Sequence, residues 1–156
     1  MARVALDADV VIAFLDAGDE QHERAVELLR PLLGGGTEIA IGASVYAEVM
    51  VRPLASGTGG RVDEFIDAIG ATVLAIDREL ARRAAELRAR HRSVRLADAL
   101  SLATAITAGA DLLTFDQQLR RVARREQEAE YSSAACLLAA ARGPRRASGS
   151  AFSLVA

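Results

Sequence analysis

Four short runs with strand character, residues 4–6, 38–42, 71–76 and 111–114, are separated by stretches with helical periodicity. Strand followed by helix, repeated through a chain, argues for an α/β fold. Parallel neighbours need crossover connections, and helices supply them on both faces of the sheet. Residues 3–15 (RVALDADVVIAFL) show the unit in its shortest form. An apolar run ends in Asp7-Ala8-Asp9, and a second apolar segment follows at once, with Asp9 placed to cap a helix. A carboxylate at that junction stands on the carboxyl edge of the sheet, where open α/β folds hold their ligands.

Three further acids share that context. Glu48 lies one turn inside a helix expected over residues 45–54, Asp98 opens the apolar helix 96–108, and Asp116 follows the fourth strand. In a parallel sheet Asp7, Glu48, Asp98 and Asp116 all fall on one edge. Each has a bland explanation: a turn residue, an i,i+4 partner for Arg52, a charge favoured by a helix dipole, an N-cap. Capping alone does not account for four acids at equivalent ends of successive elements. Ser44 is placed to cap the expected 45–54 helix, but the residue three beyond it is Ala47, so no capping box explains Glu48. Crowded carboxylates hold on to protons unless a cation neutralises them. A hard divalent ion such as Mg²⁺ takes oxygen ligands while keeping several waters, and it polarises phosphodiesters and generates hydroxide near neutral pH.

Composition removes other chemistries. All 19 basic residues are Arg, so a phosphate-loop lysine, a Schiff base and a Ser-Lys dyad are excluded. Six aromatic residues and no Trp leave little for a base-stacking platform. His22 is expected on the exposed side of a helix over residues 19–33 that Asp19 caps, and His91 in a loop. No Ser or Cys sits in a nucleophile elbow. Residues 1–116 carry 12 Arg against 18 acids, and residues 117–156 carry 7 Arg against 3 Glu. An acidic body with a basic tail suits either phosphate contact or plain solvation. The single Cys136 forms no internal disulfide, and neither a signal peptide nor a span of ~20 apolar residues is present. A cytoplasmic protein of one domain, with no membrane association, is expected.

These residues resemble the PIN-domain ribonucleases, most closely the VapC-type toxins of bacterial toxin–antitoxin pairs. The resemblance runs over residues 4–119. It rests on LDADVVIAFL with His22-Glu23-Arg24-Ala25 following, then SVYAEVMVRPL, DRELARRAAELRARH and VRLADALSLATAITAGADLLTFD. It implies a three-layer α/β/α fold with a central parallel sheet of four to five strands. The PIN domain would occupy residues 1–125, and residues 126–156 would be an extension, partly helical or disordered. The implied activity is Mg²⁺- or Mn²⁺-dependent endoribonuclease cleavage of tRNA or rRNA, with Asp7, Glu48, Asp98 and Asp116 as catalytic and metal-binding acids. Thr114 matches a hydroxyl two residues before the last Asp. Asp9, where such proteins carry a small polar residue, is expected as an auxiliary acid, with Ser44 a further supporting residue. Implied partners are an RNA substrate, a second copy in a homodimer, and a small antitoxin covering the acidic groove.

The tail departs from that pattern. A fifth strand is expected near residues 128–132 (EAEYS), then an Ala-rich helix over 133–141 and a disordered segment over 142–150. The main rival is a haloacid-dehalogenase-like phosphatase. In it Asp7 would be the nucleophile, Asp9 an acid/base, Ser44 the hydroxyl after the second strand, and Asp111 with Asp116 the late acid pair. The missing Lys counts against it. A catalytically inactive antitoxin- or RNA-binding module is the other alternative, opposed by the intact acids.

Overall fold

The computed structural model describes residues 2–34 and 36–141. The elements run β1 (Arg3–Leu6), α1 (Ala8–Leu15), α2 (His22–Leu29), β2 (Glu38–Gly42), α3 (Ala43–Ala55), α4 (Gly60–Ala68) and β3 (Thr72–Leu74). They continue with α5 (Arg78–Arg90), α6 (Leu96–Ala108), β4 (Asp111–Leu113) and α7 (Gln117–Ala141). The strands form one sheet in the order β3-β2-β1-β4, and every pairing is parallel. The chain divides into two compact units, the first ending at Arg124.

Strand side chains alternate between faces, and in β1 both faces are buried. Val4 and Leu6 pack with α1, α2, α3 and α4 on one side, whereas Ala5 joins α5, α6 and the first turns of α7 on the other. The result is a three-layer α/β/α architecture with four strands among the described residues. Register places Leu6 beside Ile41 and Leu113, so β1, β2 and β4 end together, and their following residues meet at one edge.

Several local expectations need correction. Residues 128–132 lie inside α7, not in a fifth strand, and the Ala-rich 133–141 stretch continues the same helix. Glu, Gln, Arg and Ala are strong helix formers, and EAEYS lacks the β-branched residues that favour a strand. The expectation for residues 142–150 lies outside the described residues. The helix expected over 19–33 is only His22–Leu29. Pro31 has no N–H to continue the ladder, and Asp19 closes an Asx turn onto the Gln21 amide (2.8 Å) one step earlier. Ser44 does not cap α3. The N-cap is Gly42, and the Ser44 hydroxyl is buried without a hydrogen-bond partner among the described residues.

Gly42 is required for packing. A Cβ there would sit 2.9 Å from the Thr104 hydroxyl oxygen, on a side chain only 2% exposed that donates to the Leu100 carbonyl (2.9 Å). Gly42→Ala is expected to destabilise the fold by about 1–3 kcal/mol through overpacking between β2 and α6. Urea unfolding checks this: the midpoint should fall with an unchanged m-value.

Candidate active site

The carboxyl edge of the sheet opens into a cleft of about 330 Å³. Its lining includes Asp7, Asp9, Glu48, Asp98 and Asp116, five acids from four different stretches of chain, with Arg95 as the only cation among the described residues. Thr114 reaches the cleft through its hydroxyl, which donates to Asp9, and Ser44 is not among the lining residues.

Asp7 is at the centre. Its amide donates to the Leu113 carbonyl (3.0 Å), joining the end of β1 to β4, and its side chain caps α1 by accepting from the Ala8 amide (3.0 Å). It also accepts from the Ser101 hydroxyl at 2.9 Å. Burial raises the Asp7 pKa, the Asp9 charge raises it further, and hydrogen bonds from Ser101, Thr114 and the Ala8 amide pull the other way.

Asp9 is not the cap; it lies in the first turn of α1. One of its oxygens (Oδ2) accepts from the Thr114 hydroxyl (3.1 Å), the Phe115 amide (2.8 Å) and the Asp116 amide (3.2 Å). It therefore holds the turn between β4 and α7. Its other oxygen (Oδ1) is buried with no hydrogen-bond partner among the described residues. Asp116, delivered by that turn, caps α7 by accepting from the Gln118 (2.7 Å) and Leu119 (3.0 Å) amides. The turn is braced by Arg120, which donates to the Thr114 carbonyl at 2.6 Å, and by Arg24, whose guanidinium stacks 5.0 Å from the Phe115 ring centre.

Asp98, in the first turn of α6, accepts from the Arg95 amide (3.2 Å) and is gripped by the Arg95 guanidinium through Nε (3.0 Å) and Nη2 (3.1 Å). Glu48 is exposed and makes no hydrogen bond or ion pair among the described residues. Its expected partner Arg52 instead faces Asp16 at 3.8 Å. His22 is not on an exposed face: it is half-buried, with Nδ1 2.8 Å from the Ala13 carbonyl.

Sequence reasoning missed Ser101, Arg95 and Gln21 at this site. Ser101 had a usable signal, since it lies three residues beyond Asp98 and so on the same face of α6. Arg95 stood equally close on the other side.

The donors suit a hard divalent ion, because all of the acids offer oxygen and one buried carboxylate oxygen, Asp9 Oδ1, has no hydrogen-bond partner among the described residues. Among the described residues no three Asp, Glu, His or Cys side chains converge closely enough to ligate one ion together. A hydrated ion held by one or two carboxylates and its own waters does not need them to. The late acid pair of a phosphatase is not assembled. Asp111 pairs with Val4 at the start of the strands, the far end of the sheet from Asp116.

Among curated protein sequences nothing matches. Solved structures do. The *Mycobacterium tuberculosis* toxin VapC20, described as cleaving the sarcin-ricin loop, superposes with a TM-score of 0.62 at 19% identity, covering 74% of this chain and 92% of that one. VapBC2 from *Rickettsia felis*, bound to a promoter DNA fragment, gives 0.60 at 18%, with 77% and 92% covered. A toxin–antitoxin complex from *Klebsiella pneumoniae* gives 0.56 at 24%, with 71% and 84% covered. These likenesses establish the fold. The PIN domain profile matches residues 4–125, the stretch that builds the sheet, both helical layers and the acidic cleft. The chain therefore belongs to the PIN domain family.

Proposed function

We propose that the cleft is the active site of a metal-dependent endoribonuclease, the toxin of a toxin–antitoxin pair. The observation that carries this reading is the gathering of four acids around a buried fifth, Asp7, whose proton affinity is raised. Such a site is under electrostatic strain that a divalent cation relieves. Of Asp7, Glu48, Asp98 and Asp116, one or two would ligate Mg²⁺ or Mn²⁺ directly and the others would hold its waters. The ion, when bound, supplies Lewis acidity toward a phosphodiester and acidifies water toward neutral pH. Ser101 and the Ala8 amide orient Asp7, and Asp9 with Thr114 sets the position of Asp116. RNA as substrate is supported by the described activity of VapC20. An antitoxin partner is supported by the toxin–antitoxin complexes among the structural relatives. Pairing of two copies is part of the same reading.

Purified protein in Mg²⁺ is expected to cut structured RNA into defined fragments. EDTA should reduce cleavage to background, and excess Mg²⁺ or Mn²⁺ should restore it. Cleavage that survives chelation would refute the metal-dependent reading.

A further inference from the structure

Five acids face a substrate whose backbone is also anionic, and among the described residues Arg95 is the only cationic side chain lining the cleft. Its guanidinium covers both oxygens of Asp98, one of the carboxylates assigned above to the ion. The two partners are unequal: the Arg95 side chain is 81% exposed and that of Asp98 only 15%. An ion pair with one end so open to water is weak and easily exchanged. Glu48 and Asp116 also attract the guanidinium, which thus sits amid the acids as their internal counter-charge.

On the nuclease reading, we infer that Arg95 exchanges partners: it holds Asp98 while the cleft lacks an ion, and yields it to the metal to grip an RNA phosphate. The Arg95 fork matches a phosphate as it matches a carboxylate, with two parallel N–H donors. The backbone amide of Arg95 stays bonded to Asp98, so the side chain swings from a fixed point at the start of α6. Among the described residues no other cation lines the cleft to offset the repulsion between RNA and the acids.

The test compares wild type, Arg95→Gln and Arg95→Lys. Mn²⁺ affinity is measured by isothermal titration calorimetry without RNA, and KM and kcat for RNA cleavage are measured at several salt concentrations. With the competitor removed, Arg95→Gln should bind Mn²⁺ about two- to fivefold more tightly. Its KM should rise about tenfold with a smaller change in kcat, and the salt dependence of log KM should flatten by about 0.7. Arg95→Lys, which keeps the charge and loses the fork, should keep the wild-type salt slope and bind Mn²⁺ with intermediate affinity. Mn²⁺ affinity unchanged or weakened in Arg95→Gln, with wild type binding Mn²⁺ normally, overturns the exchange and leaves the nuclease reading standing. A wild type that takes up no Mn²⁺ overturns both.

Discussion

Asp7→Asn is expected to abolish RNA cleavage, by on the order of 10³-fold, while producing a protein that melts at a higher temperature than wild type. Both effects come from the same carboxylate. Asn Oδ1 keeps the hydrogen bonds from the Ala8 amide and Ser101, so the cap on α1 survives. The charge that would hold the ion does not. For stability the sign follows from the direction of the shift. Burial first, and the Asp9 charge second, raise the Asp7 pKa in the folded protein above its unfolded value. Between those two values the folded state binds more protons, so stability falls as pH rises through the window. Above it, ionised Asp7 is a standing cost that Asn removes. Each kcal/mol released raises Tm by roughly 2–4 °C for a chain of this size. Thermal melts in EDTA at neutral pH should show the variant higher. They should also show a smaller loss of stability between acidic and neutral pH than in wild type. A variant that melts lower, or that still cleaves at the wild-type rate, contradicts the assignment.

The second large effect is expected at Asp9. Asp9→Ala strips three donors of their common acceptor: the Thr114 hydroxyl and the amides of Phe115 and Asp116. Leaving such groups without an acceptor costs about 2–4 kcal/mol in total. The loss falls on the turn that presents Asp116, so cleavage should drop by about 10²-fold as that acid loses its position. Asp9→Asn keeps an acceptor oxygen and lifts one negative charge from beside Asp7. It should retain most of the stability, and the Asp7 proton should be held less tightly. Denaturant unfolding of both variants, read beside their cleavage rates, distinguishes a positioning role from direct ion binding. Equal activity loss in Ala and Asn variants, with stability kept in Asn, would assign Asp9 to the ion instead.

Much of the site was legible before any tertiary structure. Asp7, Glu48, Asp98 and Asp116 each stand just past a strand or just inside a helix, and the cleft does receive all four. The failures were of rotation and reach. An Asp before an apolar helix is usually its cap, which is the pattern at Asp9; Asp7 takes that position two residues earlier. Helical spacing gives Glu48 a partner in Arg52 at i+4, and Arg52 instead meets Asp16 across the fold. Helical periodicity alone leaves His22 on a wet face, whereas the end of α1 brings the Ala13 carbonyl to its ring. The expected fifth strand failed because its polar, helix-forming residues extended α7 instead.

What the sequence determined by itself is what local periodicity and chain connectivity encode. Alternating strand and helix segments required parallel pairing, and parallel pairing put every strand-to-helix junction on the same edge. Tertiary structure decided how that edge is wired. The Ser101 hydroxyl reaches Asp7 across 94 positions of sequence, and Asp9 gathers donors more than a hundred residues away. Those contacts depend on the register between β1 and β4 and on the rotation of α6 about its axis. Both are set by packing on the two faces of the sheet, which no local pattern of residues specifies.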